Sequence, residues 1–169
     1  WPSNGEIDIM EFYRISGIPY LLADAAWGTS QPWTPQWDGA KVPLWQYTRK
    51  DPEWDKKFHI WRMDWDEKYI RLYMDDELMN EINLRLTTNP GGFNPFHQPH
   101  YLLLNLALGG NGGDPSGSRF PLTYEVDYVR VYQKNPLQTY AETGSGQPAV
   151  LVTGNSRSVK LSFPGNGCD

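Results

Sequence analysis

Three carboxylates, Glu6, Asp8 and Glu11, alternate with apolar residues near the start of the chain. Residues two apart on a β-strand point to the same face, so Glu6 and Asp8 share one face while the residues between them face a core. Glu11 would lie on the core face of a regular strand. One extra residue, bulged out at Ile9 or Met10, would return Glu11 to the face of Asp8. The sequence therefore predicts a bulged strand that carries three carboxylates in a row.

The two glutamates are long enough to act on one sugar. Hydrolysis of a glycosidic bond with retention needs a carboxylate nucleophile and a carboxylic acid, with carboxyl groups about 5–5.5 Å apart. At about 3.3 Å per residue, the Glu6 and Glu11 backbones lie roughly 10 Å apart or more, so their side chains must lean toward each other. The charge of Asp8 between them would help to keep a neighbouring acid protonated.

The spacing alone leaves two other roles open. Acids that alternate with apolar residues also describe a solvated strand face. Three carboxylates can also bind a hard cation such as calcium.

The sequence around the three acids closely resembles the catalytic strand of glycoside hydrolase family 16, the laminarinase, lichenase and agarase family, in its bulged form. Other stretches resemble the same family in the same order. The resembling stretches are NGEIDIMEF at 4–12, FHIWRMDW at 58–65, IRLYMDD at 70–76, LLNLALGG at 103–110 and YEVDYVRVYQ at 124–133. Together they cover residues 1 to about 134.

The resemblance implies a fold, an activity and three roles. We expect an all-β chain that forms a curved β-sandwich of jelly-roll type, and scarce helical periodicity agrees with this. By resemblance, Glu6 is the nucleophile, Glu11 the acid/base and Asp8 the assisting carboxylate. Family members normally carry several strands before the catalytic one, so we expect those N-terminal strands to be absent from this chain.

The chain is expected to divide into three parts. Residues 1–134 correspond to the catalytic domain. Residues 135–149 are rich in Gly, Ser, Thr and Pro and are typical of a linker. Residues 150–169 contain two short β-like runs, too few to bury a core alone, and either begin an appended module or dock on the sandwich.

Composition limits the class of protein. The 169 residues suit a single domain, and no apolar run approaches the ~20 residues of a membrane helix. A net charge of −5 argues against a nucleic-acid surface. The lone Cys168 sets no redox compartment. We expect a monomer that binds a polysaccharide or oligosaccharide and, by resemblance, a secreted, periplasmic or cell-surface location.

Aromatic residues are abundant, and several should face sugar. Trp27, Trp33, Trp37 and Trp45 lie in a stretch that Gly and Pro interrupt, which indicates a long loop. We expect some of these residues to line the cleft, Trp27 first because it ends the strand that returns beside the catalytic one. The alternative is that they anchor the loop to the sandwich. His59 is expected to be packed rather than catalytic.

The chain departs from the family near Trp27. Laminarinase-type members usually place a histidine near this position, where it reaches the sugar beside the scissile bond. A tryptophan there removes a polar contact and adds a flat apolar wall. This difference puts a β-1,3-glucan in doubt and favours a galactose-containing substrate.

Residues 101–110 alternate as a strand, with leucines on one face and Asn105 among small residues on the other. The second face suits a cleft floor, where Asn105 would hydrogen-bond sugar hydroxyls. The alternative is that Asn105 caps a neighbouring strand.

No cofactor is required for the predicted chemistry. By resemblance, Asp127 is a candidate ligand for a structural calcium ion, with its other ligands outside this chain. His97 and His100 lack further ligands of the kind that zinc sites need, so a zinc site is rejected.

The predicted function is an endo-acting, retaining hydrolase of a β-linked polysaccharide, with β-1,3- or β-1,3-1,4-glucan as first choice. One alternative is an endo-β-galactosidase that acts on agar-like galactans or poly-N-acetyllactosamine glycans. Another is a carbohydrate-binding protein without turnover.

Overall fold

The computed structural model describes residues 1–132. Within them, the strands are β1 (Glu6–Ile15), β2 (Ile18–Gly28), β3 (Pro35–Pro43), β4 (Trp61–Trp65), β5 (Tyr69–Met74) and β6 (Glu77–Asn83). A short helix, α1, spans Trp45–Thr48, and single 3-10 turns span Trp54–Lys56, Leu84–Leu86, Pro95–His97, Gly110–Gly112 and Pro115–Gly117. The predicted linker 135–149 and tail 150–169 lie outside the described residues.

The strands form two antiparallel sheets, ordered β1-β2-β3 and β4-β5-β6. All six belong to one compact unit, Trp1–Pro121, while residues from Leu122 onward belong to a second unit. The two-sheet arrangement confirms the predicted all-β sandwich of jelly-roll type.

The predicted bulge is present in β1. Asp8 pairs with Asp24 of β2, but Glu11 pairs with Leu22, so β1 uses three steps where β2 uses two. The hairpin between the strands turns at Ser16 and Gly17, both with positive φ, as a tight two-residue turn requires. This turn fixes the register, and the register fixes which side chains share a face.

The core of this unit lies between the two sheets. Strand β5 alternates between buried and partly exposed residues, as expected for a strand with one face on a core. One buried cluster consists of Ala23, Ala25, Trp27, Ile70, Leu72, Ile82, Leu84 and Phe96. A second consists of Leu21, Tyr47, Trp54 and Met74. The core face of β2 therefore carries the odd-numbered residues from 21 to 27.

The predicted loop between Trp27 and Trp45 is wrong in its central part. Nine residues of it form β3, which pairs with β2 along its length. The prolines that suggested a loop stand at the two ends of β3, where a missing N–H donor is tolerated. Gly39 lies in the middle of β3, where the Asp24 side chain of the neighbouring strand β2 approaches closely.

Two predicted strands are not formed as expected. Residues 101–108 have no strand assignment and are exposed on both faces. Alternation shows which face of a strand would be buried, but a strand also needs a hydrogen-bonded neighbour, and these residues pair with none among those the structure describes. The run that begins at Tyr124 shows only an isolated bridge, at Asp127, as far as residue 132.

Candidate active site

The register of β1 on β2 places the three predicted carboxylates on one face. Glu6 pairs with Ala26, Asp8 with Asp24 and Glu11 with Leu22, and these β2 residues alternate by two. The opposite face of β2 carries Ala23, Ala25 and Trp27, which belong to the core. The row of carboxylates therefore lies on the outer face of its sheet.

Trp1 lies beside the first carboxylate of the row. Its indole Nε1–H donates a hydrogen bond to Oε2 of Glu6. The segment that precedes β1 is held by Asn89, whose Nδ2 donates to the Ser3 carbonyl at 2.7 Å and whose Oδ1 accepts from the Gly28 amide at 2.7 Å. These bonds tie the entry to β1 to the end of β2, so Glu6 has a fixed neighbour.

Asp8 lies in the centre of the row. Burial first, and then the charges of Glu11, Glu6 and Asp24, together raise its pKa from 3.8 to about 8. Its Oδ2 is buried and has no hydrogen-bond partner. This pKa favours the protonated form of Asp8 at neutral pH.

Glu11 has the electrostatics of a general acid. Burial raises its pKa above the usual 4.5, the charges of Asp24 and Glu6 raise it further, and Lys41 acts in the opposite direction. A carboxylic acid that stays protonated toward neutral pH can donate a proton to a leaving group.

A fourth carboxylate, Asp24, was missed by the sequence analysis. It lies on β2 directly across from Asp8 and is only 5 % exposed. Burial raises its pKa, as does Asp38, while Lys41 and the Ala23 backbone lower it. Asp24 is the only charged residue from residue 21 to residue 28. That isolation was a usable signal, but its position opposite Asp8 depends on the hairpin register.

The structure separates the predicted tryptophans. Trp37 of β3 pairs with Ala26, on the face of the carboxylates, is 44 % exposed and lies 6.3 Å from Trp1 between ring centroids. Trp27 points to the opposite face, where it is 7 % exposed and packs edge-on against Phe96. Trp33 lies in the turn between β2 and β3 and is 77 % exposed.

The Trp27 ring packs in the core, although Trp27 also lines the cleft beside Trp37. The β2 residue that faces Glu6 is Ala26, which has no polar side chain. Trp37, the β3 partner of Ala26, provides a flat aromatic surface beside this position. The roles of Trp27, Trp33 and Trp37 in binding sugar stay predictions.

A cleft of about 730 Å³ opens beside Trp37. Its lining includes Gly28, Thr29, Gln36 and Asp38 from the ends of β2 and β3. Thr88 and Pro90 line it as well. Hydroxyl, amide and carboxylate groups beside an aromatic ring are the combination that carbohydrate sites use.

Two other predicted site residues are not joined to the row. Asn105 is exposed and lies outside any assigned strand. Asp127 is exposed, and between residues 1 and 132 no group of three or more His, Cys, Asp or Glu side chains could hold a metal ion. The residues present do not by themselves fit a calcium site, so calcium stays an expectation.

His59 is packed as expected. It stacks on Trp54 with ring centroids 3.8 Å apart, and its ring nitrogens contact Asp75 and the Trp54 carbonyl. These partners account for both nitrogens of the ring.

The two antiparallel sheets and the row of carboxylates on β1 are the arrangement that the resemblance implies. The chain belongs to the family described as Glycosyl hydrolases family 16, which matches residues 29–130. Strand β1 precedes the matched range, so the row of carboxylates and the family match involve different residues.

Individual proteins agree with this assignment. A beta-glucanase of Rhodothermus marinus is 34 % identical over 146 residues, which covers 79 % of this chain and 46 % of that protein. A keratan-sulfate endo-1,4-beta-galactosidase of Sphingobacterium multivorum is 31 % identical over 150 residues, 86 % of this chain and 32 % of that protein. The LamAcat structure from Zobellia galactanivorans matches with a TM-score of 0.50 and 28 % identity, over 69 % of this chain and 42 % of that one. The chain thus spans about half the length of these proteins or less.

No helix in residues 1–132 combines the length and the apolar character that a membrane crossing requires.

Proposed function

We propose that this protein is an endo-acting glycoside hydrolase that cleaves β-linkages with retention. The observation that carries the proposal is the row on β1, which presents Glu6 beside an indole donor and Glu11 with a pKa that burial raises. These are the two groups that a double displacement needs.

In the first step, the Glu6 carboxylate attacks the anomeric carbon while Glu11 protonates the glycosidic oxygen. The bond between the anomeric carbon and that oxygen breaks, and the leaving chain departs as an alcohol. A glycosyl ester forms on Glu6. In the second step, Glu11 takes a proton from water, the water oxygen attacks the anomeric carbon, and Glu6 is released.

The protonated Asp8 suits its place between the two glutamates. A neutral carboxyl limits the accumulation of negative charge on one strand. It can also donate a hydrogen bond, which an ionised aspartate cannot do. We infer that it assists the glutamates without bonding to the sugar's anomeric carbon.

For the substrate we propose a β-glucan, with β-1,3- or mixed β-1,3-1,4-linkages. The similarity to a beta-glucanase supports it. The site is open, with Trp37 and Trp1 on one sheet face, and an open site suits cleavage within a chain. Secretion and a monomeric state are part of the same proposal.

A galactose-containing polymer is the second candidate. Ala26 gives no polar contact opposite Glu6, and Trp37 offers a flat ring beside it. Rings of this kind pack on the apolar faces of sugars. The similarity to a keratan-sulfate endo-1,4-beta-galactosidase supports this candidate.

Product analysis tests the proposal. The purified protein and its Glu6→Gln variant are incubated with laminarin, mixed-linkage β-glucan, agarose and a poly-N-acetyllactosamine glycan. Glu53→Gln is the matched control, because Glu53 is exposed and pairs only with Lys56 at the surface. Oligosaccharides of several lengths from one polymer, abolished by Glu6→Gln alone, are the expected result and identify the sugar. A folded wild-type protein that binds a polymer without releasing products would overturn the proposal and indicate a binding protein.

A further inference from the structure

The double displacement uses carboxylates on β1 only, so the buried carboxylate of Asp24 on β2 needs a separate explanation. Burial of an acid costs free energy unless the charge is paired or removed. The Oδ1 atom of Asp24 is buried without a hydrogen-bond partner, and so is the Oδ2 atom of Asp8, its cross-strand neighbour. Glu11 pairs with Leu22, two residues from Asp24 on the same face of β2, so Asp24 lies diagonally across from Glu11.

The third strand leaves room for the Asp24 carboxylate. Gly39 of β3 pairs with Asp24, and a Cβ atom added at Gly39 would lie 2.0 Å from Oδ1 and 2.6 Å from the carboxyl carbon of Asp24. The carboxylate therefore occupies the space where any other residue would place its side chain. Any residue except glycine at position 39 would displace it.

We propose that Asp24 is a positioning residue of the active site, whose buried carboxylate, seated over Gly39 and on the same face as Glu11, keeps Glu11 in its acid form. The inference rests on the proposed function of Glu11. It gives β2 a role in the chemistry that β1 performs.

The surrounding charges support this role. Asp8, Glu6, Glu11 and Tyr13 come from β1, and Lys41 and Asp38 from β3. After burial, Asp24 is the largest contribution to the raised pKa of Glu11, and it also raises the pKa of Asp8. Lys41 lowers the pKa of Glu11 and of Asp24 without forming an ion pair with Asp24 in the described part of the chain.

The test is the pH dependence of kcat/KM for Asp24→Asn on the polymer that the wild-type protein degrades. Loss of the Asp24 charge lets Glu11 ionise at lower pH, so the alkaline limb should move to lower pH by about 0.5–1 unit. Activity measured above that limb should fall by about 3- to 10-fold relative to wild type.

Asp76→Asn is the matched control, because Asp76 lies at the exposed β5–β6 turn with positive φ, which asparagine tolerates. Its alkaline limb should coincide with that of wild type. An unchanged limb in Asp24→Asn, with activity lowered equally at every pH, would overturn the proposal and show a structural role.

A second measurement is independent of turnover. Carbon-13 NMR titration of labelled glutamates should show Glu11 titrating at lower pH in Asp24→Asn than in wild type. An unchanged titration of Glu11 would overturn the proposal. If the wild-type protein degrades no polymer, the proposed function fails, and the NMR result still decides whether Asp24 raises the pKa of Glu11.

Discussion

Asp8→Asn should remove a pH-dependent loss of stability. The pKa of Asp8 is about 8 in the folded protein and 3.8 when unperturbed. Below pH 3.8, Asp8 is protonated in both the folded and the unfolded protein. Between pH 3.8 and pH 8 the folded state keeps the proton and the unfolded state does not, so the free energy of unfolding falls as pH rises. Above pH 8 the full cost of the buried charge is present.

The size of this effect follows from the pKa values. A difference of about four pKa units at 1.36 kcal/mol each gives an upper bound of about 6 kcal/mol. Asp8 is only partly buried, and solvent screening reduces the effect, so we expect about 3 kcal/mol. Asparagine keeps the shape of the side chain and carries no charge at any pH.

The assay is urea unfolding of wild type and Asp8→Asn at pH 5 and pH 9. The wild-type protein should lose about 2 kcal/mol more stability between these pH values than the variant does, since part of the cost is already present at pH 5. Groups that do not interact with Asp8 titrate alike in both proteins and cancel in the comparison. An equal loss in the two proteins would refute the claim that Asp8 is protonated because it is buried.

Three further predictions concern catalysis, binding and the core. Glu11→Gln should lower kcat/KM on polysaccharide by about 100-fold or more, while a dinitrophenyl glycoside, which needs no proton, loses far less; an equal loss on both substrates would contradict the acid role. Trp37→Ala should raise KM by about 5- to 10-fold with little change in kcat, and Trp65→Ala should leave both unchanged, as steady-state kinetics will show. Phe96→Ala should lower the free energy of unfolding by about 3–5 kcal/mol, because Phe96 is fully buried against Trp27. Urea titration measures this loss, and a change below 1 kcal/mol would mean that the cluster does not form the core.

Strand β1 could be predicted from sequence because its three acids leave a local pattern. Three acids among apolar residues fit one face only if the strand contains a bulge, and the register confirms that extra residue before Glu11. The stretches at 58–65 and 70–76, which resemble the same family, overlap β4 and β5.

The remaining features depend on contacts between distant residues. The face to which Trp27 points follows from the register of the β1–β2 hairpin, which its own neighbours in sequence do not show. Asp24 becomes a site residue only because Asp8 and Gly39 lie on either side of it. The prolines of β3 and its weak alternation favour a loop in the sequence, although pairing with β2 stabilises it as a strand.

Residues 101–108 illustrate the opposite error. Their alternation is regular, but local pattern alone does not supply a hydrogen-bonded neighbour.

Covalent trapping tests the central claim most directly. A 2-deoxy-2-fluoro glycoside of the sugar that the protein cleaves, with a good leaving group, slows release of the glycosyl ester and lets it accumulate. Mass spectrometry of the digested protein should then show one added glycosyl group on the peptide that contains Glu6, and none in Glu6→Gln. Turnover of the natural polymer without any adduct, accompanied by inverted anomeric configuration of the first products, would contradict the nucleophile role of Glu6.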